Sequence, residues 1–346
     1  MAHGEAAIRD ASRRWLLRAR VDELSKRFGV PSFALHRAEL HKIARARAAQ
    51  PARMRGGHRV TGVEAIATPT VTLEGPDGPG EDPADPVVGA DGIHSRIRAA
   101  LFPDHPGPAY AGYVTWRGVV PAEAVPRGSR DLGITESRGR GERFGIVSLG
   151  NGQVYWFATA SLPAGSHARD DLDELRTRYR RWHDPIPALL RATAPRTLLR
   201  HDIYHLEPPL PRYHAGRVVL LGDAAHALTP DIGQGGCQAL EDAVTLVHAL
   251  AGEAEVPAAL AGYDRARRRR TQKTARTSAL WGTIAQWRNP SPLRCATPSR
   301  RWSRPGCSCA PARRRSAGSH PHRHDRRPHR SLELAVADLD VTALSR

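Results

Sequence analysis

The segment from Gly216 to Leu250 constrains the fold more than any other part of this 346-residue chain. Val218 to Leu221 is a continuous apolar run, which predicts a strand buried on both faces. Gly222-Asp223 ends that run, and a loop with Pro230 and three glycines follows before the pattern becomes helical. The segment therefore predicts a strand, a glycine-rich loop and a helix in that order, as in an α/β fold.

The strand end and the glycine loop suit a ligand with hydroxyl groups and negative charge. A carboxylate at the carboxyl end of a buried parallel strand, such as Asp223, can accept hydrogen bonds from a sugar or ribityl hydroxyl. A glycine loop that opens a helix presents free N–H groups and the positive end of the helix dipole to a phosphate or an anionic ring. The helix carries apolar residues at steps of three and four, which share one face: Leu240, Ala243, Val244, Val247 and Leu250.

This segment resembles the second FAD-binding motif of the group A flavoprotein monooxygenases, the para-hydroxybenzoate hydroxylase-like enzymes. That motif is a strand, Gly-Asp, Ala-Ala-His, a proline, Gly-Gln-Gly and a helix with Glu-Asp, and all of these occur here in order. The resemblance implies that the segment forms part of an FAD site. The cofactor-binding residues that it implies are Gly222, Asp223, Ala225, Gly233, Gly235 and Gly236.

The resemblance also implies roles for single residues. Asp223 would hold the ribityl chain, while the N–H groups of Gly235 and Gly236 would face the flavin pyrimidine edge, where negative charge appears on reduction. Pro230 would border the flavin near its reacting carbon, and Asp231 would touch the substrate or its water. The Gly-Gln-Gly-Gly-Cys form is similar to that of urate-hydroxylase and zeaxanthin-epoxidase relatives, which argues against a simple phenol hydroxylase.

A second motif lies in residues 86–103. An apolar strand runs into Gly-Ala-Asp-Gly at positions 89–92, and a helix follows from about Ser95, which is a suitable N-cap. This segment resembles the family's Asp-Gly motif, which contacts FAD and is implicated in the use of NAD(P)H. The resemblance therefore adds Asp91, Gly92 and Ser95 to the cofactor-binding residues.

An amphipathic helix is predicted to begin at Arg37, in the sequence His-Arg-Ala-Glu-Leu. In family members an extended segment leads into a helix whose early arginine contacts the FAD diphosphate region. The resemblance implies this role for Arg37. Arginine is also common at helix starts that bind nothing, so a structural role stays open.

Strand signals dominate residues 58–75 and 104–205, whereas residues 75–85 are rich in turn residues and predict a loop. The aromatic and β-branched runs at 113–120, 144–149 and 153–160 predict a mixed or antiparallel sheet. In the family such a sheet covers the flavin and binds the substrate. The urate-hydroxylase-like branch has an Arg and a Tyr at places comparable to Arg143 and Tyr155, although a core tyrosine and a surface arginine are equally compatible with the pattern.

Composition limits the possible partners. The net charge of +17 would favour a polyanion, but much of it lies after Asn289 or on one predicted helix, and interleaved aromatics are absent, so nucleic acid is not an expected partner. No apolar run is long enough for a membrane span, and no secretory signal is visible. Four cysteines without a zinc spacing favour a cytoplasmic protein without a metal site.

The predicted fold class is α/β: an incomplete Rossmann-like FAD/NAD(P)-binding domain combined with a mixed β-sheet substrate domain. It is incomplete because the GxGxxG unit with which family members begin is not found in the sequence. We expect residues 1–103 to be a remnant of the FAD-binding domain and 104–205 to be the substrate domain. Residues 206–290 would complete the FAD-binding domain, and 291–346 would be a disordered basic tail.

The resemblance implies an FAD-dependent monooxygenase that uses NAD(P)H and O₂ on an aromatic or heterocyclic small molecule. In such enzymes the cofactor carries the oxygen chemistry, and the protein supplies orientation, electrostatics and water exclusion. The candidate catalytic residues are Pro230, Asp231, Arg143 and Tyr155. A truncated, non-catalytic remnant that binds no FAD is the alternative.

Overall fold

The computed structural model describes residues 5–20, 26, 29, 34–49, 52–64, 68–126 and 133–288. The predicted basic tail at 291–346 lies outside these residues. The strands are β1 Glu5–Asp10, β2 Trp15–Arg20, β3 Arg59–Glu64, β4 Thr70–Gly75, β5 Gly78–Pro83, β6 Val87–Gly89, β7 Pro108–Pro121, β8 Ile134–Arg138, β9 Glu142–Ser148, β10 Gln153–Ala160, β11 Leu199–Leu206, β12 His214–Ala215 and β13 Val218–Leu220. The α-helices are α1 Arg37–Ala48, α2 Arg96–Leu101, α3 Asp171–Arg178, α4 Ile186–Ala192, α5 Asp223–His226, α6 Gly235–Gly252 and α7 Val256–Ala285.

The largest sheet has seven strands in the order β11-β7-β10-β9-β8-β1-β2. Only β1 and β8 run parallel, so the sheet is mixed, as predicted. The register places Tyr155 of β10 between Val147 of β9 and Val119 of β7. Because side chains alternate across a strand, each of these strands sends every second residue to the same face.

One face of this sheet is buried under α3 and α4. Its core includes Trp116, Phe144 and Trp156, which are fully buried, together with Tyr179 at the end of α3. The indole of Trp156 crosses Gly118 of the neighbouring strand, where an added Cβ would lie 2.6 Å from the ring. The opposite face is left to form a cavity, described below.

A second sheet holds the parallel pair β13 and β6, with β12 on the other side of β13. Val218, Val219 and Leu220 are fully buried, which confirms the predicted strand. Both β13 and β6 lead directly into a predicted cofactor motif. The fold therefore brings the two motifs side by side at the carboxyl ends of two neighbouring parallel strands.

The third sheet, β3-β4-β5, corrects one expectation. Residues 75–85 were expected to form a loop, but Gly78–Pro83 pairs with β4 along its length. Gly78 has φ +99°, which a tight turn between two strands requires. The strand has no alternating pattern because it is a mostly exposed edge, where Pro79 and Pro83 are tolerated.

The N-terminal hairpin also differs from the expected division into domains. Strands β1 and β2 extend the seven-stranded sheet, so residues 5–20 belong to the same sheet as strands from residues 104–205. This parallel pairing of β1 with β8 joins residues far apart in sequence, which no local pattern encodes. The rest of the proposed division stays a prediction.

Helices α1, α2 and α6 lie where the sequence predicts helices, whereas the four-residue helix α5 lies in a stretch predicted as a loop. None of the helices in the described part of the chain combines the length and apolar character that a membrane crossing requires. The apolar face of α6 is formed as predicted, but Val244 and Val247 are 72% and 67% exposed in the described structure. The buried side of α6 instead includes polar residues, Gln238 and Asp242, which bind α7.

Candidate functional site

The Asp-Gly turn between β6 and α2 is organised by its own polar side chains. The Asp91 carboxylate accepts hydrogen bonds from the Ser95 hydroxyl (2.5 Å) and from the Arg96 N–H (2.8 Å). Ser95 is the N-cap of α2, as predicted, since its Oγ accepts from the Arg98 N–H. Gly92 has φ +78°, and a Cβ added there would meet no atom of the described residues within 4 Å. The turn is therefore rigid and has an open side at Gly92.

Arg98 connects the Asp-Gly turn to the Gly-Asp motif. Its buried guanidinium donates to the carbonyl oxygens of Ile93 (2.5 Å) and Ala224 (3.2 Å). Burial lowers the pKa of Arg98, although the charge of Asp91 opposes that shift. One side chain thus fixes the distance between the two motifs.

The Gly-Asp motif begins with a strained turn. Gly222 has φ +57° and ψ −139°, a conformation that only glycine adopts readily, and its N–H donates to Asp242 Oδ2 at 2.9 Å. Asp223, the first residue of α5, is exposed, whereas Ala225 is buried. The turn therefore presents the Asp223 carboxylate outward at the end of β13.

Asp242 anchors this turn from α6. Its Oδ2 lies 2.6 Å from His226 Nε2, and its Oδ1 accepts from Arg267 Nε at 2.7 Å. Burial alone would raise the pKa of Asp242, but hydrogen bonds from His226, Arg267 and Gly222 lower it below its usual value. His226 is therefore held as a structural residue. Asp242 and Arg267 had no predicted role, although Glu-Asp belongs to the quoted motif.

The glycine loop and the start of α6 are open to a ligand. Pro230–Ile232 forms one 3-10 turn that ends at Gly233, where φ is +65°. A Cβ added at Gly233 meets no atom within 4 Å in the part of the chain that the structure describes. Gly235 and Gly236 are the first residues of the 18-residue helix α6. The first N–H groups of a helix have no partner within it, so this end can bind an anion.

A cavity of about 330 Å³ lies between the free face of the seven-stranded sheet and this loop. It brings together five predicted residues from distant parts of the chain. They are Arg143, Tyr155, Pro230, Asp231 and Gly233. The other lining residues are Ala34, Thr115, Arg117, Ile134, Glu136, Val147, Phe157, Thr159 and Ile232.

A buried ion pair closes one side of the cavity. Arg143 Nη2 lies 2.9 Å from Asp231 Oδ1, and their side chains are 3% and 0% exposed. The other Asp231 oxygen accepts from the Tyr113 hydroxyl at 2.9 Å. Burial and the Asp231 charge raise the pKa of Tyr113, so this hydroxyl stays protonated and donates.

Arg143 keeps its charge in this position. Burial acts to lower the pKa of Arg143, but the carboxylates of Glu136 and Asp231 outweigh burial and raise it. Its Nε also donates to the Thr159 hydroxyl at 3.4 Å. Arg143 is therefore a buried cation with carboxylates on two sides, and not a surface strand end.

Helix α7 makes room for the Asp231 carboxylate at Gly282. A Cβ added at this glycine would overlap both the carboxylate carbon and Oδ2. Further along, Gln286 donates to the Thr159 hydroxyl at 2.8 Å, so α7 also contacts the cavity wall. Sequence reasoning missed Tyr113, Glu136 and Gly282, because no local motif includes them.

Arg37 is the one predicted cofactor residue outside these two motifs. It is the first residue of α1, and it is exposed. His36 caps the helix by accepting from the Ala38 N–H. A role of Arg37 in binding the FAD diphosphate stays a prediction.

Residues 30–278 match the FAD binding domain family, which covers both motifs and the cavity. The chain belongs to this family of FAD-dependent monooxygenases. It is 41% identical over 280 residues to an aurachin C monooxygenase/isomerase from Stigmatella aurantiaca, an alignment that covers 78% of this chain and 68% of that protein. It is 39% identical over 213 residues to an FAD-dependent urate hydroxylase from Klebsiella pneumoniae, covering 60% of this chain and 53% of the relative.

Solved structures agree with this assignment. Klebsiella pneumoniae HpxO complexed with FAD and uric acid superposes with a TM-score of 0.72 at 34% identity, covering 85% of this chain and 74% of HpxO. A salicylate hydroxylase substrate complex has the same fold, with a TM-score of 0.67 at 23% identity. The chain thus spans about half of the urate hydroxylase sequence and about three quarters of the HpxO structure.

The residues present fit FAD. Gly92 and Gly233 both have positive φ, and among the described residues nothing fills the side where a Cβ would point, so a flat ligand can approach their backbone closely. The α6 N-terminus supplies N–H donors for an anionic ring edge, and Asp223 supplies an exposed carboxylate for hydroxyl groups. The ribityl chain of FAD requires an acceptor for its hydroxyl groups. Its ring requires donors for an anionic edge and a backbone that allows close approach, and the site offers all three.

Proposed function

We propose that this chain catalyses the FAD-dependent insertion of one oxygen atom from O₂ into an aromatic or heterocyclic small molecule, with NAD(P)H as the reductant. One observation carries the proposal: a cavity roofed by Tyr155 and Phe157 and bordered by the loop Pro230–Gly233 of the Gly-Asp motif. The volume of about 330 Å³ is that of a small-molecule site.

We assign the cofactor contacts to the two motifs. Asp223 would hold the ribityl chain, Gly235 and Gly236 would face the pyrimidine edge, and Gly92 would let the Asp-Gly turn approach the cofactor. Ala225, Asp91 and Ser95 would keep both turns in shape. When bound, FAD supplies the chemistry of accepting reducing equivalents and activating O₂.

The protein's own contribution is orientation and exclusion of water. The ion pair between Arg143 and Asp231 ties the sheet to the loop, so the substrate is held between them. Tyr113 fixes the second oxygen of Asp231, which leaves that carboxylate little freedom to rotate. Because Arg143, Asp231 and Tyr113 are already fixed in place, these side chains lose little conformational entropy when the substrate reacts.

The support for the substrate class comes from the cavity and the relatives. Tyr155 and Phe157 line the cavity with ring centroids 6.4 Å apart, so their aromatic surfaces can pack against the ring of a bound ligand. The names of three relatives contain aurachin C, urate and 3-amino-4-hydroxybenzoate, and these compounds belong to those relatives. We also propose a cytoplasmic location, because NAD(P)H is an intracellular reductant.

Product analysis tests the proposal. The purified chain is supplied with FAD, NADPH or NADH, isotopically labelled O₂ and a panel of aromatic acids, purines and quinolines. The proposal expects a product with one labelled oxygen atom and NAD(P)H oxidation that the substrate accelerates. Protein that takes up no FAD and forms no labelled product would support the non-catalytic remnant instead.

A further inference from the structure

Arg117 is a buried cation on the wall of the cavity. It lies on β7, where Thr115 and Arg117 face the cavity and the intervening Trp116 packs into the core on the other side. Arg117 is 8% exposed, so more than nine tenths of its surface is removed from solvent. Its cross-strand neighbours are Phe157 and Leu199.

Arg117 differs from the other cation of the cavity in its partners. Arg143 is neutralised by Asp231 at 2.9 Å and lies 4.0 Å from Glu136. Glu136 is itself engaged by Arg138, whose Nε donates to it at 2.7 Å. Within the described parts of the chain, the Arg117 guanidinium has neither a hydrogen bond nor an ion pair. Because this guanidinium lines the cavity without a carboxylate partner, an anion bound there would form charge-assisted hydrogen bonds with it.

The rest of the cavity suits the body of a flat molecule. Phe157 lies across Gly145 of the neighbouring strand, where an added Cβ would overlap its ring. Tyr155 lies beside it, and Ile134 and Val147 complete an apolar wall. One end of the cavity is therefore apolar and aromatic, while Arg117 supplies an unpaired positive charge.

We propose that Arg117 binds an anionic oxygen of the substrate, so that the enzyme selects planar aromatic anions over their neutral counterparts. The oxygen belongs either to a carboxylate or to an ionised ring hydroxyl, and the planar guanidinium can bind both. This proposal rests on the proposed function only in calling the bound anion a substrate. Binding of the anion itself requires neither NAD(P)H nor O₂. It makes Arg117 a specificity-determining residue.

Calorimetric titration of the full chain with two matched pairs of probes tests it. Benzoate against benzamide is the carboxylate arm, and 4-nitrophenol above its pKa against 4-nitroaniline is the ring-hydroxyl arm. In at least one arm the wild type should bind the anion about tenfold to a hundredfold more tightly than the neutral probe. The Arg117→Gln variant should lose this preference and keep its affinity for the neutral probe.

Two further variants complete the experiment. Arg117→Lys keeps the charge without the planar fork and should retain part of the preference. Arg196→Gln, at an exposed arginine of a short 3-10 helix, should bind like the wild type. Unchanged anion binding by Arg117→Gln overturns the proposal, and so does a wild type that binds neither anion more tightly than its neutral partner. Anion selectivity without any oxygenated product would refute the proposed function and leave this inference standing.

Discussion

The guanidinium of Arg143 lies 2.9 Å from the carboxylate of Asp231, and both side chains are almost completely buried. Arg143 belongs to β9 of the seven-stranded sheet and Asp231 to the loop of the Gly-Asp motif. The pair therefore joins the two halves of the cavity. Its isolation from water makes each partner depend on the other, because an unpaired buried charge is far less favourable than a paired one.

This dependence predicts strong coupling in a double-mutant cycle. Arg143→Met should lower the free energy of unfolding by about 3–5 kcal/mol, because it leaves the Asp231 carboxylate buried without its cation. Arg143→Met combined with Asp231→Asn should lower it by clearly less than the sum of the two single changes. Chemical denaturation of the four proteins measures the coupling. Additive effects would show that the pair is not coupled in solution.

The close approach of Gly282 to Asp231 predicts that a glycine-to-alanine change at this position of α7 lowers activity. Gly282→Ala should displace the Asp231 carboxylate, since the new Cβ would overlap it, and should reduce substrate-stimulated NAD(P)H oxidation. Gly262→Ala in the same helix is the matched control, because among the described residues a Cβ there meets only Arg265, at 3.8 Å. The control should gain about 0.5–1 kcal/mol of stability and keep its activity. Equal activity in the two variants would contradict the role of Gly282.

Asp242 predicts a pH-dependent contribution to stability. Its pKa is lower in the folded than in the unfolded protein, so its stabilising effect is present above the unfolded value of about 3.9 and is lost as the pH falls through the folded pKa. Asp242→Asn should therefore be most destabilising near neutral pH, with a smaller deficit in acid. Denaturation at several pH values measures this trend. A deficit of Asp242→Asn that stays constant across the pH range would contradict this role of Asp242.

Removal of the Tyr113 hydroxyl should lower the free energy of unfolding by less than the Arg143→Met change. Tyr113→Phe removes the hydroxyl that donates to Asp231 Oδ2. A hydrogen bond to a charged group contributes about 1.5–3 kcal/mol, so unfolding should become easier by a comparable amount. Tyr204→Phe, at a half-buried tyrosine of β11, is the control and should change stability less. Equal losses in both variants would argue against a structural role for the Tyr113 hydroxyl.

Much of the site was predictable because its parts lie in local motifs. Pro230, Asp231 and Gly233 belong to the motif that begins at the end of β13, and Asp91, Gly92 and Ser95 follow β6, so each motif could be recognised from adjacent residues. Arg143 and Tyr155 were predicted only through the resemblance. The register of β9 and β10 then brings both to the same face of the sheet.

The remaining features depend on contacts that no local pattern encodes. Arg117 and Glu136 reach the cavity through the strand order of the sheet. Gly282 lies 51 residues after Asp231 in sequence and meets its carboxylate through the packing of α7. The hairpin of β1 and β2 joins the sheet through the parallel pairing with β8. Strand β5 has no periodicity of its own and is defined by pairing with β4.

The central claim is that the two motifs of this chain hold FAD beside the cavity. Titration of the purified, cofactor-free chain with FAD, followed by the visible absorption and fluorescence of the flavin, tests it most directly. We predict saturable binding of one FAD per chain, weakened by Gly233→Val and left unchanged by Arg196→Gln. A chain that is folded but shows no saturable FAD binding would contradict the account.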